Sequence, residues 1–246
     1  MTQLKKFTRV PIVLSLALLA MAIAAPASQA REPAAGYGQF AGCPSPEEDP
    51  LVLQCNKTTI TGGHFKMGSK NVPIENPLTL VGGFHSDGSV VANSKGGLSP
   101  VKQKVPGGVV GLTGLTWLLE LFGNEALTLY ATTELVGQPK VAGGILRLPI
   151  RVHLTNGLLG NACDVGSPAE PIALHLTLAT TSPPPPNEPI SGQVPVTKLD
   201  PATKILHQTG GIYVDNSFAA PGANGCQLEF GLFNIGLDGL VDSQSG

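Results

Sequence analysis

Histidine side chains are the first candidates for chemistry in this sequence of 246 residues. Five are present and widely separated along the chain: His64, His85, His153, His175 and His207. Two of them lie in similar strand-like segments, RVHL and ALHL, so pairing of these segments could place His153 and His175 beside a carboxylate and form a metal site. Histidines on a polar or half-buried strand face are more common. We predict that role here, with no metal and no cofactor.

A second candidate is the loop that contains His85, Ser86 and Asp87, the residue types of a hydrolase triad. A triad requires its members to be close in space, which adjacency in sequence does not deliver, so we expect a solvated turn. The sequence contains no GxSxG, HExxH or Walker motif, and no GxGxxG that opens a helix. We therefore predict no catalytic residues. A hydrolase site assembled from distant residues is the least favoured interpretation.

Oxygen ligands for calcium could come from Asp164, or from Asp215 and Asn216 before Ser217. Neither segment has the dense alternation of Asp and Asn that a calcium loop requires. The triplet Asn56-Lys57-Thr58 matches a glycosylation sequon, which matters only where the source glycosylates such sites.

Four cysteines follow the first thirty residues: Cys43, Cys55, Cys163 and Cys226. Four cysteines allow three pairings, and outside the cell two structural disulfides are expected. Cys163 and Cys226 each lie in Gly/Asn-rich turns, GNACDVG and GANGC, which suits two loops at one end of a sandwich. We favour the pairs Cys43–Cys55 and Cys163–Cys226. Cysteine spacings typical of zinc sites are absent.

The first thirty residues have the features of a secretion signal. Three basic residues precede an apolar run over residues 12–25, and Ser28 and Ala30 supply the small residues that a signal peptidase reads. We predict cleavage after Ala30 and export, followed by a flexible tether over residues 31–42. The alanine-rich leader is typical of a bacterial protein.

Charge is sparse and slightly acidic, with 15 basic and 17 acidic residues. Removing the predicted leader takes away Lys5, Lys6 and Arg9 but no acidic residue, so the formal charge moves from −2 to near −5. No basic cluster is visible along the sequence, and no ladder of Lys or Arg alternates with aromatic residues. A nucleic-acid partner would lack its electrostatic footprint, and we predict none.

The element with the clearest helical pattern after the leader is the segment 105–135, which also holds the only tryptophan, Trp117. Apolar residues recur there at intervals of three, four and three: Leu112, Leu115, Leu119 and Phe122. This spacing places them on one helix face, and Gly123 and Asn124 follow as a helix stop. We predict one short helix near residues 112–122.

The same helix face has two possible surroundings, a protein core or a lipid surface. Only fifteen uncharged residues separate Lys104 from Glu120, whereas a membrane-spanning helix needs about twenty. We therefore favour a core helix. Contact with lipid through residues 107–122, including Trp117, is the alternative.

Strand patterns dominate the rest of the chain. Apolar and polar residues alternate over residues 126–135, 145–154 and 172–180, and Pro149 favours an edge or bulged position for the second of these strands. With 31 glycines and 22 prolines, many short elements joined by tight turns are expected. We predict a mostly β fold, a sandwich or barrel-like two-layer antiparallel arrangement with one short central helix.

In this arrangement residues 43–246 form a single β-rich domain. The alternative is two β-rich halves, 43–104 and 125–246, joined by the helix near 112–122. Either size is ample to bury a hydrophobic core.

Several segments together resemble a group of uncharacterised exported bacterial proteins of similar size. They are TGGHFKMGS near residue 65, VPGGVVGLTGLTWLLE in the centre and NSFAAPGANGC near the end. The resemblance implies one coherent exported domain. No activity, cofactor or site residue transfers with it.

These observations favour an exported, non-enzymatic structural or binding protein of the cell surface or the medium. The sequence does not identify its ligand. The alternative from a different class is a lipid- or membrane-associated protein that contacts the cell envelope through residues 107–122, and a secreted hydrolase is less favoured.

Overall fold

The structure is a computed structural model that describes residues 33–230 and 233–245. The predicted secretion signal, residues 1–30, lies outside the described residues. The described helices are a 3-10 helix η1 (Gly38–Phe40) and α-helices α1 (Gly108–Thr113), α2 (Trp117–Ala126) and α3 (Asp238–Ser245). The described strands are β1 (Gln54–Ile60), β2 (His64–Met67), β3 (Lys70–Pro73), β4 (Leu78–Phe84), β5 (Val90–Val91), β6 (Gly97–Leu98), β7 (Lys102–Val105), β8 (Leu129–Leu135), β9 (Lys140–Ala142), β10 (Ile145–Thr155), β11 (Asp164–Val165), β12 (Ile172–Thr177), β13 (Val196–Leu199), β14 (Leu206–Thr209), β15 (Ala223–Asn224), β16 (Gln227–Phe230) and β17 (Phe233–Gly236).

The predicted fold class is confirmed, because the chain is mostly β and its strand pairs are antiparallel. A seven-stranded main sheet runs in the order β15-β11-β10-β8-β7, with β9 and β12 also paired to β10. A second sheet has the order β1-β4-β5, with β6 also on β4. Within the described residues the sheets do not close into a barrel.

Strand β10 is the centre of the main sheet, and its side chains alternate between a core and a solvent face. One face of β10 is buried and consists of Leu148, Ile150, Val152 and Leu154. The other face is not buried and includes Arg147, Arg151 and His153. This period of two is the one expected of a sheet with one face in water. The core face is covered by buried side chains from three helices and from the β16–β17 hairpin: Val109, Leu112, Leu118, Val241 and Leu228.

Pro149 lies in this central strand, whereas the sequence favours an edge or bulged position for it. The amide N–H of Val136 donates to the carbonyl of Pro149 at 3.0 Å, which shows that the backbone of Pro149 faces the side of β8 and β9. On that side β9 pairs up to Arg147 and β8 begins at Ile150. The missing N–H of Pro149 therefore falls in the gap between two strands, where no ladder hydrogen bond is lost.

The predicted central helix is two helices rather than one. Gly114 ends α1 in the left-handed conformation, with φ of 74°, and its N–H donates to the carbonyl of Val110. The second helix starts at Trp117 and continues to Ala126. At the predicted stop, Gly123 adopts φ of 73° and ψ of 170°, so the helical conformation that starts at Trp117 is interrupted there as the sequence predicts, and a short helical turn follows to Ala126. Glycine permits this conformation at little cost.

The N-terminal sheet is attached to the main sheet through the hairpin that joins β4 to β5. The carbonyl of Gly88 accepts a hydrogen bond from Val141 in β9 at 2.8 Å, and Val90 donates to the carbonyl of Pro139 at 2.9 Å. Segment 33–42, predicted as a tether, contains η1, and Asn93 donates to the carbonyls of Ala41 and Cys43.

Two disulfides are present, Cys43–Cys55 and Cys163–Cys226, the pairing that the sequence favours. Such bonds persist in oxidising, extracytoplasmic environments. None of the described helices is long and apolar enough to cross a bilayer.

Candidate binding surfaces

The main sheet has one face turned away from the core, which we call the outer face. Its members follow from the strand registers, because directly paired residues point to the same side. Its polar members include Lys102, Lys104, Tyr130, Thr132, Glu134, Lys140, Arg147, Arg151, His153, Asp164 and His175. The outer face is thus a polar surface built by six strands.

An ion network lies at the middle of the outer face. Arg151 Nη2 lies 2.7 Å from Glu134 Oε2, and Arg151 Nη1 lies 3.2 Å from Asp164 Oδ2. The other oxygen of Asp164 lies 2.7 Å from His153 Nδ1. The hydrogen bond to Glu134 is the main reason that the pKa of Arg151 is raised above its ordinary value, and the charge of Asp164 adds to it. All four side chains are satisfied by one another.

The two histidines singled out from the sequence are not brought together. Strands β10 and β12 do pair, but the register places Arg147, rather than His153, opposite His175. His153 is six residues further along β10, about 20 Å away at the usual strand rise, and its partner is Asp164. Within the described residues no group of three histidine, cysteine or acidic side chains is placed to hold a metal ion.

Two of the candidate oxygen ligands, Asp164 and Asp215, are engaged within the protein. Asp215 Oδ2 accepts the backbone N–H of His175 at 2.6 Å, and Asp215 Oδ1 accepts from Ser217. Asn216 Nδ2 donates to the carbonyl of Glu188, whereas Asn216 Oδ1 is buried and accepts no hydrogen bond from the described residues. In the sequon, Asn56 Oδ1 accepts a hydrogen bond from the hydroxyl of Thr58 at 2.8 Å.

The loop that suggests a hydrolase does gather serine, histidine and aspartate, although with partners that the sequence did not indicate. Ser89 Oγ lies 3.3 Å from His85 Nδ1, and His85 Nε2 lies 2.9 Å from Asp49 Oδ2. Asp49 is 36 residues away in sequence. The chain Ser89–His85–Asp49 has the residue order of a catalytic triad.

The hydrogen bonds of Ser89 nevertheless stabilise the turn and do not prepare its hydroxyl for nucleophilic attack. The hydroxyl of Ser89 donates to Asp87 Oδ1 at 2.6 Å, a shorter contact than the one to His85, so its proton is directed to a carboxylate. Ser89 is only 6% exposed, and a nucleophile must reach its substrate. The hydrogen bonds that Asp87 accepts from the hydroxyl and the backbone N–H of Ser89 hold the pKa of Asp87 well below its usual range, with a smaller contribution from Lys140.

The five residues predicted for core or lipid contact divide between the two environments. Leu112 is buried, and Leu115 and Phe122 are partly buried against the core. Trp117 is 44% exposed, and Leu119 is exposed as well. Leu121, four residues after Trp117 and therefore on the same helix face, is 62% exposed. Helix α2 thus presents an apolar surface to solvent.

Beside this helix lies a cleft of about 270 Å³. Its lining mixes charged, polar and apolar groups, among them Glu75, Lys104, Leu119, Asn124 and Thr128. The volume is slightly below the usual range for small-molecule sites, about 300–1,000 Å³.

A two-stranded ribbon, residues 190–214, carries the largest group of exposed apolar side chains. It is built by β13 and β14 and continues through the bridge between Gln193 and Ile212. All eight residues of β13 and β14 are exposed. The exposed apolar residues of the ribbon are Ile190, Val194, Val196, Leu199, Leu206, Ile212 and Tyr213.

Local hydrogen bonds order the tip of this ribbon. The hydroxyl of Thr203 donates to Asp200 Oδ2 at 2.8 Å, and this bond is the main cause that lowers the pKa of Asp200. The hydroxyl of Tyr37 donates to the carbonyl of Thr203 at 2.7 Å. The tip is therefore tied to the segment before Cys43.

Sequence reasoning missed the ribbon and the basic character of the outer face. The ribbon alternates too weakly to predict which faces it exposes, since apolar residues occur on both. The basic residues of the outer face come from segments up to 49 positions apart, Lys102 to Arg151, and only the strand registers bring them together.

A comparison of the chain with protein-family models, with curated proteins and with solved structures finds no match.

Proposed function

We propose that this protein is exported and acts outside the cytoplasm as a non-enzymatic structural or binding protein that associates through its ribbon. The observation that carries the proposal is the exposure of aliphatic side chains around the paired strands β13 and β14, which have no further strand beside them among the described residues. The base of the ribbon is joined to the main sheet by the bridge between Val214 and Thr177 of β12. Val194 and Val196 are 71% and 72% exposed. An isolated two-stranded hairpin is marginally stable in water, and exposed apolar patches mark interaction sites.

A second copy of the chain is the partner that the ribbon fits best. In the described residues β13 pairs only with β14, so each strand keeps one edge of unpaired backbone donors and acceptors. Such an edge can pair with the same edge of another copy about a two-fold axis. Pairing would bury the aliphatic side chains and satisfy the backbone groups together.

Two features support an extracytoplasmic, non-enzymatic role. The two disulfides fit an oxidising environment. The cluster closest to a catalytic triad directs the hydroxyl of Ser89 to Asp87 and keeps it buried. N-terminal sequencing of the protein recovered outside the cytoplasm should begin at Arg31 if the leader is removed as predicted.

The ribbon proposal is tested by sedimentation velocity of the mature chain over a range of concentrations. We expect the wild type to self-associate and the double variant Val194→Thr/Val196→Thr to remain monomeric, because threonine keeps the β-branched shape and removes apolar surface. Leu51→Thr/Leu53→Thr is the matched control, since these leucines are 66% and 70% exposed outside the ribbon. A wild type that stays monomeric at high micromolar concentration would overturn the proposal.

Lipid contact through α2 is the second candidate function. It is favoured by the exposure of Trp117 and Leu121 on one face of the helix. Because Trp117 is the only tryptophan, its fluorescence reports the environment of this face directly. With phosphatidylcholine vesicles, lipid contact predicts a blue shift that Leu121→Ser weakens. An unchanged emission spectrum at excess lipid would exclude it.

A further inference from the structure

The outer face of the main sheet collects cations that lie in separate segments of the sequence. Lys102 and Lys104 come from β7, Lys140 from β9, and Arg147 and Arg151 from β10. The acidic side chains that share the face are Glu134 and Asp164. Basic residues therefore exceed acidic ones on this face, although the whole chain has a formal charge of −2.

Much of this positive charge is not neutralised by the protein. Arg151 is paired with Glu134 and Asp164, and Lys140 lies 3.1 Å from Asp87. Within the described residues Lys102, Lys104 and Arg147 are in no ion pair, and all three are exposed. Lys102 Nζ lies over the ring of Tyr130, 5.9 Å from its centre, a contact that carries no negative charge.

Arg147 has the least favourable surroundings of the three in the absence of an anion. Its direct partners across the sheet are Lys140 on one side and His175 on the other. Like charges that face each other across a strand pair are destabilising, which applies to Arg147 and Lys140. Asp87 relieves this for Lys140, but among the described residues no carboxylate reaches Arg147. An anion bound over Arg147 would remove the repulsion.

We propose that the outer face binds an acidic polysaccharide along a line of basic residues, which we call the track. Lys102 and Lys104 lie at one end of the track and Arg147 lies at the other. Lys104 is level with Thr155 through its register with Tyr130, so the track extends along β10 from Thr155 to Arg147. That is eight residues, about 27 Å at the usual strand rise. A track of this length fits a chain of several sugars rather than a single small anion.

Other polyanions fit this surface less well. Insertion into a bilayer interface uses apolar groups beside the basic ones, and Tyr130 is the only exposed large apolar side chain of the described residues on this face. Recognition of single-stranded nucleic acid uses several aromatic platforms on which bases stack, whereas here there is one. The extracytoplasmic environment indicated by the disulfides also favours carboxylated sugars over nucleic acid.

The test is the binding of polygalacturonate to the mature protein at low salt, measured by isothermal titration calorimetry. We expect binding that weakens as salt is added, because surface ion pairs are screened, and no binding of uncharged dextran. The triple variant Lys102→Gln/Lys104→Gln/Arg147→Gln should lose about tenfold in affinity. Because these three side chains are exposed, circular dichroism should show an unchanged fold.

The matched control is Lys57→Gln/Lys66→Gln/Lys95→Gln, which removes three exposed lysines from outside the main sheet and the ribbon and changes the net charge equally. When the variants are compared at about 0.1 M salt, where the Debye length is about 10 Å, the control should keep its affinity within about twofold because lysines distant from the outer face are screened. An equal loss in both triples would overturn the assignment to the outer face. Absence of polygalacturonate binding, or tighter binding of inorganic polyphosphate, would overturn the proposal that the ligand is an acidic polysaccharide. None of these outcomes depends on the ribbon.

Discussion

At the scale of single residues, Asp87 shows how a carboxylate in a triad-like cluster can act on the fold alone. It accepts hydrogen bonds from the hydroxyl and the backbone N–H of Ser89 and contacts Lys140. All of these partners favour its charged form. The residue types in this loop are those of catalysis, but the shortest hydrogen bonds close the turn.

Replacing Asp87 with asparagine should make stability depend less on pH. Because the pKa of Asp87 is lowered in the folded protein, its contribution is present at neutral pH. It diminishes as the pH falls below the ordinary aspartate value of about 3.9 toward the lower folded value. We therefore expect Asp87→Asn to lower the thermal midpoint at pH 7 and to converge with the wild type in acid.

Thermal unfolding from neutral pH down to strongly acidic pH checks this expectation. Glu170→Gln, at an exposed position, serves as the control and should follow the wild type throughout. If the gap between Asp87→Asn and the wild type stays constant across this range, the stabilising role of the carboxylate charge is wrong.

Individual site residues were predictable by type but not by partner. The sequence singles out His153 and Asp164 for unrelated reasons, and the fold joins them at 2.7 Å. Their meeting depends on the register of β10 with β11, and a strand of two residues such as β11 has no alternation from which a register could be predicted. Asp49 was missed for a similar reason, since it lies in a loop.

At the scale of elements, the β4–β5 hairpin joins the two sheets through backbone contact, and Gly88 makes this approach possible. Gly88 has a φ of 82°, and a Cβ at this position would collide with the carbonyl oxygen of Val141. Gly88→Ala should therefore combine left-handed backbone strain with a clash, and destabilise the protein by about 2–4 kcal/mol.

Urea unfolding of Gly88→Ala alongside Gly143→Ala separates these two effects. Gly143, in the turn between β9 and β10, also has positive φ, 61°, but no atom of the described residues lies within 4 Å of the position that a Cβ would take there. Gly143→Ala should cost only the backbone strain, about 1 kcal/mol. Equal losses in the two variants would show that the hairpin contact with β9 does not matter for stability.

Periodic elements were the most predictable part of the fold. The alternation over residues 145–154 corresponds to β10, and the alternation over 172–180 contains β12. The central helix was less predictable, because its apolar spacing is continuous across Gly114 while the backbone is not. A glycine within a helical pattern leaves open whether the helix continues, and here the positive φ of Gly114 ends it.

At the scale of the whole molecule, the two disulfides differ in what they hold together. Cys163–Cys226 links residues 63 positions apart, and both cysteines lie in the main core with at most 1% exposure. Cys43–Cys55 closes a segment of 12 positions beside the N-terminal sheet. The first bond thus connects the main sheet to the C-terminal hairpin and helix, and the second restrains a local loop.

This difference predicts unequal costs of removal. The entropy that a crosslink takes from the unfolded chain grows with loop length, which gives about 4 kcal/mol for Cys163–Cys226 and about 3 kcal/mol for Cys43–Cys55. Replacing Cys163 and Cys226 by alanine also leaves a small cavity in the core, which adds to the loss. Urea unfolding of the two double alanine variants should therefore rank Cys163→Ala/Cys226→Ala as the less stable. The opposite ranking would mean that the Cys43–Cys55 bond, rather than the Cys163–Cys226 bond, contributes more to the stability of the molecule.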